Sequence, residues 1–218
     1  MRFSRISVRY LAPAILVGLC FPVLLAGKNF AKPAAQHAKS YPAHDSHDDE
    51  RVTVAADPYD TPEKQKIFSI DFEQAGFMPV FFVVTNDGDQ PISMANIEIT
   101  FITANHSKLT PTSTADIVRR MSNPQAQTRP SPIPIPRKKV KGTLGTKELE
   151  EIESSQFAAR AVEPHGSQSG FLFFDVRGIS SPLSQANIDV TGIHDAKGNE
   201  LLFFEIPMEK YLEAPSAR

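Results

Sequence analysis

Two nearly unbroken apolar stretches, Phe77 to Thr85 and Phe171 to Phe174, most restrict what this chain folds into. A strand that alternates polar and apolar residues keeps one face wet, whereas a run such as Val80-Phe81-Phe82-Val83-Val84 requires cover on both faces. The first run stops at Asn86-Asp87-Gly88-Asp89-Gln90-Pro91, where an Asp-Gly step supplies positive φ cheaply. The second follows Glu163-Pro164-His165-Gly166-Ser167, another turn signal, within a predicted strand over 168–176.

Weaker strand patterns surround these two. Phe68, Ile70 and Phe72 alternate with Ser69 and Asp71. Over Ala95 to Thr103, residues Ile97, Ile99, Phe101 and Thr103 share one face, opposite Glu98, Thr100 and Ile102. The first three predicted strands read as a meander. Further strands are expected at Phe157 to Val162 and Ile188 to Ile193, the latter joined through His194–Asn199 to Leu201–Ile206 as a hairpin. About seven short strands with no βαβ rhythm predict an all-β antiparallel sandwich over residues 51–213, with 214–218 as a tail.

With 218 residues, 41% apolar and net charge −2, the chain lacks the basic profile of a dedicated nucleic-acid binder. It is too apolar to be wholly disordered and not apolar enough to span a membrane many times. Its single cysteine, Cys20, lies in the N-terminal stretch, so the predicted body has neither a disulfide nor a thiol nucleophile.

Arg2, Arg5 and Arg9 precede a mainly apolar run from Leu11 to Gly27, the pattern of a secretory signal. A helix of 17 residues is about 25 Å long, short of the roughly 30 Å hydrocarbon core. Residues 1–27 are therefore read as a signal peptide or membrane anchor, with cleavage after Leu24-Leu25-Ala26, retention, and lipidation at Cys20 all open. Residues 28–50, rich in Ala, Pro, Lys, His and Asp, read as a disordered linker. His44 and His47 stand there beside Asp45, Asp48, Asp49 and Glu50, but a solvated tether gives metal ligands no rigid support.

Between the two strand groups lies an excursion of some fifty residues. A helix is predicted over Ala115–Met121, capped by Ser113 or Thr114, and a second over Lys147–Ser155, capped by Thr146, with Leu149 and Ile152 pinning it to the body. The intervening 122–145 carries Pro124, Pro130, Pro132, Pro134 and Pro136 and reads as a disordered, partly polyproline-II loop. It also carries Arg129, Arg137, Lys138, Lys139 and Lys141 and no acid. These five residues are the candidate contact for an anionic partner. Alternatively the loop folds back on neighbouring Glu148, Glu150, Glu151 and Glu153.

Val83 to Ser93, followed much later by Val162 to Val176, resembles bacterial envelope domains of the immunoglobulin-like kind. In those domains an early strand ends in an Asn-containing turn before Pro, and a Pro-Gly turn launches a strand opening with Gly and aromatics. The resemblance spans roughly residues 51–213 and implies an immunoglobulin-like antiparallel β-sandwich at an envelope address. It implies no catalytic residue. His165 stands where such domains often carry Gly, and the proline-rich insertion lies outside their pattern.

The sequence offers no catalytic, cofactor-binding or metal-ligating set. Gly166-Ser167-Gln168-Ser169-Gly170 has Gln168 where a nucleophile elbow needs serine. Asn86-Asp87-Gly88-Asp89 reads as turn chemistry, not a calcium loop, and His106, His165 and His194 read as exposed loop residues. One half of each pair Phe81/Phe82, Phe173/Phe174 and Phe203/Phe204 belongs in the core; the other packs under the excursion helices or marks an interaction patch.

The expected function is that of an exported, non-catalytic binding or assembly module of the bacterial envelope. Its expected partner is another envelope protein or an anionic envelope surface, met through a sheet edge or the basic loop, with membrane contact through residues 1–27 if they are retained. No cofactor or nucleic acid is expected. The competing expectation is a small exported hydrolase or metal-dependent enzyme, with His106, His165 and His194 converging on Asp87, Asp89 or Asp195.

Overall fold

A computed structural model describes residues 30–122 and 144–214. Its strands are β1 (His44–His47), β2 (Val52–Pro58), β3 (Phe77–Asn86), β4 (Ile92–Ser93), β5 (Glu98–Ile102), β6 (Lys108–Leu109), β7 (Ala161–Val162), β8 (Gly166–Asp175), β9 (Asn187–Thr191) and β10 (Phe204–Pro207). The helices are α1 (Pro62–Gln65), α2 (Thr114–Ser122), α3 (Thr146–Ser155) and α4 (Glu209–Glu213). One antiparallel sheet has the order β1-β2-β3-β8, the other β10-β9-β5-β6, and β4 pairs with β7. The molecule is mostly β, as expected. Among the described residues there are ten strands, three of them only two residues long.

Every residue of β3 is buried, and side-chain alternation divides it between two cores. Met78, Val80, Phe82 and Val84 face the second sheet with Leu172 and Phe174 of β8, meeting Ile99, Phe101, Ile188, Val190, Phe204 and Ile206. Phe77, Phe81 and Val83 face the other way with Phe171 and Phe173, beneath Tyr59, Phe68, Ile70, Phe72, Ile117 and Ile152. Phe81 and Phe171, cross-strand partners, hold their ring centroids 5.1 Å apart. Phe81 and Phe173, the other members of their pairs, thus lie under the excursion helices. Phe203 alone of the three pairs is exposed.

Several expectations are corrected. Residues 30–50 are no disordered linker: Ala38 and Ala43 are fully buried, Phe30 stacks on Phe68 at 5.4 Å, and β1 pairs with β2 from His44↔Ala55 to His47↔Val52. Backbone pairing and a few apolar anchors hold a segment whose own apolar content is low. The folded body therefore begins before residue 51. Residues 68–72 form turns, yet Phe68, Ile70 and Phe72 are buried, because their alternation meets the outer face of the first sheet without joining it. The meander fails too, since β3 and β5 lie in different sheets. The strand expected over 157–162 shrinks to β7.

Both excursion helices form. Ser113 caps α2, its Oγ accepting from Asp116 N at 3.2 Å and donating to the Asp116 carboxylate at 2.8 Å. Gly145, not Thr146, stands at the N-cap of α3. Glu151 is buried and accepts hydrogen bonds from the backbone and hydroxyl of Ser69, tying α3 to the 68–72 turns. Arg120 ties α2 to β8, donating to Asp175 at 2.6 Å with its guanidinium 4.3 Å above the Phe77 ring.

Burial alone would raise the Asp175 pKa, but hydrogen bonds from Arg177 and Arg120 outweigh it and bring it down to about 2. A depressed carboxylate contributes stability that is complete above its unfolded value, near 4, and lost as pH falls through the folded value. Melting temperatures should therefore drop between about pH 4 and pH 2, and by less in Asp175→Asn than in the parent. An identical drop in both proteins would contradict this account.

Gly170 sits opposite Phe82, where a Cβ would lie 2.4 Å from the Phe157 Cα and 2.5 Å from its backbone nitrogen. Only glycine lets the 156–157 chain lie this close to β8. Gly170→Ala should cost about 2 kcal/mol in urea denaturation, the scale of an overpacked core.

Candidate functional site

A β-sheet ends in strands with unpaired amides and carbonyls, which serve as templates for another chain unless something covers them. This sandwich has four such edges. Along β8, Phe157 N donates to Phe171 O at 3.0 Å, Thr112 N to Phe173 O at 2.7 Å and Lys32 Nζ to Ser169 O at 3.1 Å. The closely approaching chain permitted by Gly170 is part of this cover.

The β1 and β10 edges face one another. Asp45 accepts from Glu205 N and Glu50 from Leu202 N, both at 2.9 Å, while Lys210 Nζ reaches His44 O at 3.1 Å. His47 lies between the two carboxylates, 2.8 Å from Glu50 and 3.5 Å from Asp45, with its ring stacked on Phe204 at 4.1 Å. The acid-rich tract read as a spacer is thus the clasp that closes two sheet edges.

The fourth edge is only partly covered. Strand β6 pairs Leu109 with Phe101 and Lys108 with Ile102, and Thr103 N donates to Ser107 O at 3.1 Å. In an antiparallel ladder alternate residues turn their backbone groups to the same neighbour. Thr103 and Phe101 turn theirs toward β6, so Ile99 turns its N–H and C=O the same way. Continuing the register would set Pro111 opposite Ile99, and proline has no N–H to donate. The chain instead leaves this sheet after Pro111 and crosses to β8, where Thr112 binds Phe173 O. Among the described residues this leaves a gap on the β6 side of β5 at Ile99, bounded by Leu109 opposite Phe101 and by Ile97, whose N–H donates to Met94 O at 3.2 Å. On the outward face of β5, Glu98 is exposed, with Thr100 and Ile102 partly so.

No protein-family model, curated protein or solved structure matches this chain. The open edge rests on the geometry alone. Arg129, Arg137, Lys138, Lys139 and Lys141, the expected anionic-partner contact, lie outside the described residues, as does the N-terminal signal segment. Among the described residues, no helix is long and apolar enough to cross a membrane, and no group of three His, Cys, Asp or Glu is placed to hold a metal.

The structure does not bring the three candidate histidines together. His106 follows β5 at the end of the sandwich where β9 begins; His165 and His194 lie at the opposite end, before β8 and after β9. His165 Nε2 pairs with Asp89 at 3.2 Å, and Asp89 also takes Arg51 at 2.6 Å. The Arg51 hydrogen bond and charge lower the Asp89 pKa. Asp87 pairs with His37 at 3.0 Å, and Asp195 accepts from Lys197 N and Asn199 N inside its own turn. Gly166 to Gly170 form the first half of β8, paired with Asn86 to Phe82.

The open edge has a direct readout. Under native conditions the Ile99 amide should exchange with deuterium roughly tenfold or more faster than the Phe101 amide two residues along the same strand. Equal protection would mean that β5 is covered along its whole length.

Proposed function

We propose that this protein is an exported, non-catalytic binding or assembly module of the bacterial cell envelope, built on an immunoglobulin-like sandwich, that receives an extended segment of another envelope protein along β5. Strand addition draws its affinity from main-chain hydrogen bonds and its specificity from alternate side chains. The observation that carries the reading is the contrast among edges: three are closed by dedicated contacts, and the fourth has a gap at Ile99 among the described residues.

The strand order supports the immunoglobulin-like part. In such domains the first, second and fifth strands share one sheet, while the third, sixth and seventh share the other. Here β2, β3 and β8 occupy one sheet and β5, β9 and β10 the other, in the same chain order. The excursion bearing α2 and α3 stands where the fourth strand would fall. The basic n-region and apolar run of residues 1–27 support export.

Placing a benzophenone-bearing residue at Glu98, and in a control at Glu153 on α3, tests this in intact cells of the source bacterium. The protein should be recovered from the envelope or periplasmic fraction, with irradiation giving a polypeptide adduct from position 98 and none from 153. Recovery in the cytosol, or equal adducts from both positions, would remove the proposal.

A further inference from the structure

At the end of the sandwich away from β4 and β7, a cavity of about 560 Å³ opens between the start of β3, the 176–186 connection and α4. That volume lies in the range of small-ligand sites. Its apolar wall includes Phe77, Met78, Val176, Leu183 and Leu212. Asp60 and Glu73 also line it, and among the described residues no lysine or arginine does.

Among the described residues neither carboxylate has an ion-pair partner. Glu73 is exposed; its backbone carbonyl accepts from Gly76 N at 2.8 Å, while its carboxylate has no ion pair or hydrogen bond among the described residues. Asp60 is held by the Tyr211 hydroxyl, which donates to it at 2.6 Å. Lys64 Nζ lies one step further back: it donates to the Tyr211 hydroxyl at 3.2 Å but takes Asp57 as its ion-pair partner at 2.6 Å. Burial, then the hydrogen bond to Asp60 and the charges of Asp60 and Asp57, pushes the Tyr211 pKa well above the ordinary tyrosine range. The phenol is therefore an uncharged donor that fixes Asp60 without neutralising it. Lys64 and Asp57 neutralise one another.

The frame around this mouth is held firmly. Tyr211 is buried, Lys64 Nζ sits 4.5 Å from the centre of its ring, and Met208 N donates to Ala186 O at 2.8 Å to dock the start of α4. Ser181 and Gln185, bracketing the Pro182–Ser184 wall, hold φ of 52° and 50°, a conformation that costs a non-glycine residue energy.

We propose that the cavity binds a small organic ammonium ion, its apolar body against Phe77, Met78 and Leu183 and its charged group at the carboxylates of Asp60 and Glu73. An anion would meet two negative charges and, among the described lining residues, no positive one. A neutral apolar molecule would gain the wall contacts but leave the carboxylates unused. The site is separate from the β5 edge, so either proposal stands or falls without the other.

Calorimetric titration of the purified full chain with 3-phenylpropylammonium, 3-phenylpropanol and 3-phenylpropanoate tests the assignment. The ammonium should bind at least about tenfold more tightly than the alcohol, a charge-assisted gain, with no detectable carboxylate binding. Glu73→Gln should weaken the ammonium severalfold and leave the alcohol unchanged; Leu212→Ala, at the partly exposed rim, should weaken both. Neither variant touches the Tyr211–Lys64 frame, and unchanged melting temperatures would show that both fold. Alcohol binding as tight as ammonium binding, no ammonium binding at all, or ammonium binding that neither variant weakens would overturn the proposal.

Discussion

Strand β3 has no solvent face, and the rest of the molecule is arranged to satisfy that condition. Its ten residues are buried, even-numbered side chains on one face and odd-numbered ones on the other. Burying one large apolar side chain contributes about 1.5–3 kcal/mol. Leaving either face wet would forfeit several such contributions at once. The second sheet covers one face. The other is covered by elements of little regularity: the 59–72 turns, α2 and α3, and the N-terminal segment with Phe30. They are joined to one another and to β8 by polar contacts, Glu151 with Ser69 and Arg120 with Asp175.

The same economy governs the edges. A short segment of low apolar content, Asp45 to Glu50, closes the seam between the sheets with side-chain carboxylates directed at backbone amides. Gly170 allows the 156–157 chain to cover β8. Against these coverings, the described residues leave a gap at Ile99 of β5, next to Pro111. Proline at that register position removes the donor that would have extended β6.

Much of this was legible in the chain. The two apolar runs announced doubly covered strands, the Asn86–Pro91 and Glu163–Ser167 turns bounded them, and the 194–199 turn joined β9 to β10 in the expected antiparallel pairing. The excursion helices fell within a residue or two of their predicted limits. The N-terminal tract was misread because composition measures what a segment buries of its own, whereas β1 is held through backbone pairing and through His47 on Phe204. Phe68, Ile70 and Phe72 were misread because burial on alternate residues also arises when a turn-rich segment lies across a sheet. The cavity left no local sign: Asp60, Glu73 and Leu212 are far apart in sequence.

By itself the sequence determined which residues must be dry and where the chain must turn, because side-chain hydrophobicity and the φ preferences of Gly, Asn and Pro act locally. Only the tertiary structure decided which strands are neighbours, which edges are closed, and which carboxylates line the cavity. Those outcomes depend on distances between residues remote in the chain, such as Glu50 from Leu202 or Asp60 from Tyr211, and no local preference encodes them.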